Sequence, residues 1–227
     1  MSKAFRILRF TPDSRDFYVI GAKHTWDPSN PLIRRIHELL DAFAQRHPDG
    51  VVISENDCSV AHGTTLEESI TRVAEAGAVH WYAHKLGLTV TCPEPPYADV
   101  ISRLCEKFPP EDVAYTMIRV ALGPQAASDI ALEALDRQLA YWARPEMQKA
   151  SGLRLTREWF TRHQVGDPFS DAVLAEMVKI RDSAVFAAVK RLWGEGRSLF
   201  MVYGMTHTEH LEQEFHDLVG VNPEELE

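Results

Sequence analysis

Apolar positions along this chain fall into two spacings that take turns. Short unbroken apolar runs occur at Phe17 to Ile20, at Val51 to Ser54, within the LTVTCP stretch that starts at Leu88, and at Ser198 to Gly204. Runs of that length, stopped by Gly or Pro, are the pattern of strands buried on both faces. Between them lie PLIRRIHELLDAFAQRH, AEAGAVHWYAHKLG and DAVLAEMVKIRDSAVFAAVKRLW, where apolar residues recur every three or four positions. That is the spacing of a helix burying one stripe. Asn30 and Pro31 predict an N-cap and first helical residue, and Gly87 predicts a helix end. Strand, helix, strand, helix, strand in this order predicts parallel crossovers. The expected fold is α/β, a mostly parallel central sheet flanked by helices.

From Tyr97 to His163 the pattern is helical throughout, as in ISRLCEKF, DVAYTMIRVAL and SDIALEALDRQLAYWA. We read residues 97–165 as a helical insertion or cap within a single domain spanning 1–227, placed to shape a substrate pocket. After the final strand, Thr206-His207-Thr208-Glu209 has the capping-box form and predicts another helix start.

The polar residues gain meaning from this order. Parallel strands all end on one edge, and ligands bind in the crevice there. The first strand runs into Gly21-Ala22-Lys23-His24, the second into Glu55, the third into Glu94 and the last into Gly204-Met205-Thr206-His207. Length adds two more candidates. Glu75 to Leu86 rises roughly 17 Å at ~1.5 Å per helical residue, against roughly 20 Å for the following strand at ~3.3 Å per residue. The same comparison holds for Arg181 to Leu192. Glu75 and Arg181 are thereby expected at the same edge.

Two imidazoles, three carboxylates and a guanidinium suit two mechanisms. His24, Glu55 and His207 are candidate ligands for a divalent transition metal (Mn, Co or Zn), which would polarise a carbonyl and acidify water. Alternatively His24 takes a proton from water without a metal, its tautomer held by Glu55 or Glu75. Arg181 would stabilise a developing oxyanion. His62, after Glu55, is an outer candidate. His80 and His84, four apart, read chiefly as packing and solvent positions. His210 lacks the glutamate of a metalloprotease helix, Cys58 lacks a partner base, and Tyr141 and Trp142 read as core.

Composition narrows the partners. With 227 residues and 45% hydrophobic content the chain can bury a sizeable core. A formal net charge of −9, with dispersed basic residues, speaks against nucleic acid. No apolar run reaches the ~18 residues of a membrane span, and MSKAFRILRF is too interrupted by Arg6 and Arg9 for a signal peptide. The 3 cysteines lack a C-x-x-C spacing, so neither a disulfide framework nor a zinc knuckle is indicated. A cytoplasmic protein acting on a small molecule or peptide is expected; the oligomeric state is not legible.

The ordered motifs carry a resemblance. Gly21-x-x-His24 and Gly204-x-x-His207, with a strand ending in Glu55, then Glu75-Ala76-Gly77, Glu94-Pro95 and Arg181-Asp182, resemble the TraB/TIKI group and its erythromycin-esterase and ChaN-like relatives. The resemblance covers most of the chain except the helical insertion. It implies a shared α/β fold and hydrolysis of an ester, lactone or amide bond. It carries His24, Glu55, Glu75, Glu94, Arg181 and His207 over as site positions. The alternative is a non-catalytic protein that holds a small molecule, metal or haem in the same pocket. The lipoprotein start expected of some ChaN-type members is not seen, which lowers the haem reading.

Overall fold

The computed structural model describes residues 5–55, 63–122, 129–163 and 166–226. By Cα packing it divides into two compact units, one formed by Met1–Glu94 and Asp182–Glu227, the other by Pro95–Arg181.

The first unit is built on a six-stranded sheet. Its strands are β1 (Phe5–Phe10), β2 (Phe17–Ala22), β3 (Val51–Ser54), β4 (Thr89–Thr91), β5 (Leu199–Gly204) and β6 (Glu224–Leu226), ordered β4-β3-β5-β2-β1-β6. The four strands expected from the apolar runs are all present, and each is parallel to its neighbours among them. β1 pairs antiparallel with both β2 and β6. The fold is thus α/β with a mostly parallel sheet. β5 has all six residues buried because strands flank it on both sides, which explains its unbroken apolar run. β4 stops at Thr91, short of the LTVTCP run, and lies at the sheet edge.

Side chains alternate between the faces, as the two-residue period of a strand requires. Tyr18, Ile20, Val52, Phe200 and Val202 pack with Leu32, Ile36, Leu40 and Phe43 of α1 (Pro31–Arg46) and Val79 and Ala83 of α2 (Leu66–Lys85). Phe17, Val19, Ile53, Leu199, Met201 and Tyr203 pack with Val185, Val189 and Leu192 and with Leu211 and Phe215 of α9 (Met205–Val219). Each such fully buried side chain contributes about 1.5–3 kcal/mol, and together they fix which way every strand faces. α1 starts as expected: Asn30 Oδ1 accepts the Leu32 N–H at 3.0 Å, with Pro31 at the first helical position.

The second unit contains α3 (Tyr97–Cys105), α4 (Pro110–Leu122), α5 (Asp129–Trp142), α6 (Pro145–Ser151) and α7 (Arg157–Arg162). It also takes the first half of α8 (Asp167–Gly194), which reaches past residue 165. Ile101, Leu104, Val113, Ile118, Met147, Val173 and Ile180 form its core, and Trp142 is part of that core. The long helix is therefore not one amphipathic stripe. Val173 and Ile180 serve the helical core; Val185, Val189 and Leu192 serve the sheet core, after a five-residue step that leaves the three-or-four spacing.

Among the described residues no helix is long and apolar enough to cross a membrane. Cys92, just past β4, is disulfide-bonded, a departure from the expectation that no disulfide forms. Cys105 is a free thiol, pushed up to about 11 by burial and by the neighbouring Glu111. Such a thiol is a poor nucleophile at neutral pH.

Candidate functional site

The ends of the parallel strands are level. Ala22 of β2 pairs with Gly204 of β5, and Ser54 of β3 pairs with Val202. His24, Glu55 and the first turn of α9 therefore leave the sheet at one edge. Gly204 is the point on which they converge. A Cβ there would lie 3.2 Å from Glu55 Oε2, 3.7 Å from His24 Nε2 and 3.7 Å from His207 Cδ2. Gly204 has an ordinary backbone (φ −53°, ψ 141°), so glycine serves here to leave room, not to relieve strain. Gly21 serves packing instead. A Cβ on it would clash with Thr208 Oγ1, so its absence lets α9 lie against β2.

Glu55 is buried, and its Oε2 accepts the Gly204 N–H at 2.7 Å. This carboxylate sits where α9 begins and complements the positive end of that helix. It also explains why the expected capping box does not form. The helix starts at Met205 with Gly204 as N-cap, and Thr206 lies inside it. His207, in this first turn, is buried with its Nδ1 on Asp182 Oδ1 and its Nε2 4.0 Å from Glu55 Oε1. An ionised carboxylate only accepts, so Nδ1 carries the proton and Nε2 holds the lone pair in the neutral ring. His210 Nδ1 reaches the other oxygen of Asp182 at 3.3 Å from a half-exposed position.

His24 is held in the same way. Its Nδ1 donates to Glu75 Oε1 at 2.8 Å, and the Thr25 N–H donates to Glu75 Oε2 at 2.9 Å. The sequence places Glu75 there through a break in α2. Val73 and Ala74 leave helical geometry, Ala74 with φ +55°, so Glu75 opens a second helical segment. Gly77 allows the two segments to abut; a Cβ on it would run into the Ser69 carbonyl oxygen. Burial alone raises the Glu75 carboxyl, but the His24 and Thr25 hydrogen bonds and attraction to the His24 ring outweigh it. The group lies below the ordinary glutamate range. His24 itself is about half exposed, and the ring of Trp26, 60% exposed, lies 6.4 Å from it centroid to centroid.

Glu94 completes the cluster. One ligand atom each from Glu55, Glu94 and His207 lie within 4.8 Å of one another, with Glu55 and His207 buried and Glu94 half-buried. Two carboxylates so close repel unless a cation or proton lies between them. Carboxylate oxygen and imidazole nitrogen are the donors that Mn, Co and Zn accept. The carboxylate behind His207 Nδ1 is the usual support of a metal-binding histidine. The residues present therefore fit a divalent cation. The cluster that could hold a cation contains Glu55 and His207 of the expected ligands together with Glu94; His24 lies alongside, engaged by Glu75.

Five of the six expected positions thus belong to the sheet unit, with His24, Glu55 and His207 converging, Glu94 joining the last two and Glu75 behind His24. Arg181 is counted with the helical unit, where its charge acts on the buried Tyr97 phenol. The neighbouring Asp182, which the sequence motif names without giving it a role, holds His207 Nδ1. Trp26 was also missed, although it stands two residues past His24. His80 is buried with Nε2 3.6 Å from Cys92 Sγ, whereas His84 is exposed, so the two do not form a pair. His62 and Cys58 lie outside the described residues. No protein-family model, curated protein or solved structure matches this chain.

Proposed function

We propose that this chain is a hydrolase of an ester, lactone or amide bond, with a divalent transition metal held by Glu55, Glu94 and His207 and with His24 as the proton-transfer group. The observation that carries the reading is the pair of carboxylate-anchored imidazoles, His24 on Glu75 and His207 on Asp182, around the space left by Gly204. The order of motifs, with its resemblance to the TraB/TIKI group, supports the same reaction class.

When bound, the metal would act as a Lewis acid on the carbonyl and lower the pKa of water. The chain's own residues do the rest. His24 Nε2 accepts the proton of the attacking water, and the Glu75 carboxylate stabilises the resulting imidazolium. Returning that proton to the departing oxygen or nitrogen restores the ring. Asp182 fixes the His207 tautomer and ring orientation. Glu55, tied to the Gly204 N–H, holds its position in a buried setting. Arg181 receives no role in this scheme.

The substrate we infer is a small molecule or peptide, without nucleic acid or membrane as partner, in keeping with the net charge of −9. The setting we propose is cytoplasmic; the Cys92 disulfide weighs against that compartment.

The test is a panel of aryl esters, lactones and amides assayed with the purified chain after chelation and after adding Mn, Co or Zn. Hydrolysis restored by metal and lost in His24→Ala supports the proposal. Hydrolysis unchanged by chelation but lost in His24→Ala supports a metal-free mechanism on the His24–Glu75 pair. Metal or haem retained on purification, with no turnover of any substrate, supports the binding protein instead.

A further inference from the structure

The opposite edge of the same sheet carries a second polar cluster, roughly 20 Å from Gly204 along β5 at ~3.3 Å per residue. Asp16 directly precedes β2, Ser198 precedes β5, and His47 follows α1. Asp16 is buried, and three cationic or ionisable groups surround its one carboxylate. His47 Nε2 donates to Oδ2 at 2.8 Å, Arg46 Nη1 lies 3.1 Å from Oδ2, and Arg9 Nε donates to Oδ1 at 3.0 Å. Ser198 Oγ accepts the Asp16 N–H at 3.2 Å and lies 3.1 Å from His47 Nδ1.

Ser198, His47 and Asp16 stand in the order of nucleophile, base and orienting carboxylate. That reading fails on access. Ser198 is buried and is not among the residues lining the adjoining cavity, so its hydroxyl serves to fix the His47 tautomer.

The cavity itself is the more telling feature. It measures about 340 Å³, and Arg9, Arg15, Arg46 and His47 line it with Asp13 and Asp16. Three guanidiniums against two carboxylates leave a positive surplus, in a chain whose net charge is −9. Their donors are far from used up. Each guanidinium has about five N–H groups. Among the described residues they make four hydrogen bonds, Arg9 Nε to Asp16, Arg15 Nη1 to the Trp193 carbonyl, and Arg46 Nε and Nη2 to the Ala42 carbonyl and the Tyr18 hydroxyl, while Arg9 Nη2 and Arg46 Nη1 form ion pairs with Asp16. The Arg9 and Arg46 side chains remain 25% and 41% exposed.

We propose that this cavity binds a compact oxyanion, the phosphate group of a small metabolite, independently of the strand-end site. A phosphate offers several acceptor oxygens to forked donors arranged about one space, which a single carboxylate such as Asp16 cannot satisfy.

Isothermal titration of the full chain with inorganic phosphate, at ionic strength fixed with chloride, tests the assignment. Saturable one-to-one binding is expected. It should weaken at least about tenfold in Arg15→Gln and Arg46→Gln, as loss of a charge-assisted bond requires. Thr11→Glu, at an exposed position on the cavity rim, should weaken it likewise without touching the buried cluster. His207→Ala should bind as the parent does. Absence of saturable binding overturns the proposal. So does binding that survives the cavity substitutions and is lost in His207→Ala, because that would locate the phosphate at the other edge.

Discussion

Asp182 holds the Nδ1 edge of His207, and this contact turns the other ring nitrogen toward Glu55. The aspartate lies on α8 and the histidine opens α9, so the sheet-side half of one helix sets the chemistry of the next. If the cluster holds a metal, weakening this support lowers affinity without removing a ligand. Asp182→Asn should bind Co or Mn about 10–100-fold more weakly than the parent, by calorimetric titration, with an unchanged circular dichroism spectrum. Equal affinity would mean that the aspartate only braces the helix.

Glu75 gives a prediction about acid. Its folded carboxyl is depressed below the usual value, so it stabilises the fold fully above the unfolded carboxyl range near ~4.3. That contribution disappears as pH falls through the folded value. Glu75→Gln should cost about 1–3 kcal/mol at neutral pH, measured by urea unfolding. The gap to the parent should hold down to about pH 5 and then close on further acidification. A gap that does not change with pH would remove the ionised carboxylate from the explanation.

Gly21, Gly77 and Gly204 should fail in different ways. Gly21→Ala meets the Thr208 hydroxyl, a side-chain atom, and should destabilise by about 1–3 kcal/mol. Adding Thr208→Ala should recover most of that loss, a coupling that a double-mutant cycle reads directly. Gly77→Ala meets Ser69 backbone, which cannot rotate away, so no side-chain deletion should rescue it. Gly204→Ala should melt close to the parent yet bind metal less well, because the new methyl presses on Glu55. A Gly204→Ala protein with parental metal affinity would show that the space has no role.

Trp26 stands exposed beside His24, on the loop that Thr25 anchors to Glu75. On a chain with hydrolase activity, Trp26→Ala should raise KM for aryl esters about 3- to 10-fold, the worth of one aromatic contact. The turnover number, and KM for alkyl esters, should change little. An equal effect on both ester classes would deny it a stacking role.

The sheet and most of the site were legible because burial on both faces writes unbroken apolar runs, and parallel strands carry their end residues to one edge. β1 escaped notice because Arg6 and Arg9 interrupt FRILRF; in the fold they pair with Glu212, Glu225 and Asp16 at the rim of the sheet. Glu75 follows from helix length, and the sequence offers it or Glu55 as the partner of the His24 ring; the fold places Glu75 there, because Glu55 is engaged by the Gly204 N–H. Arg181 and Asp182, which holds His207, are consecutive, and length arithmetic fixes a height along a helix without telling such neighbours apart, since one residue turns a helix by about 100°. The capping-box pattern predicts the helix that is found, but not its cap, because Glu55, a carboxylate distant in sequence, takes the Gly204 N–H at the helix start.

Diffraction from crystals soaked in manganese, recorded for anomalous scattering, tests the metal cluster most directly. The expected result is one strong peak about 2.0–2.2 Å from oxygens of Glu55 and Glu94 and from Nε2 of His207, with His24 on Glu75 nearby. A peak held by other residues, or none at saturating manganese, contradicts it.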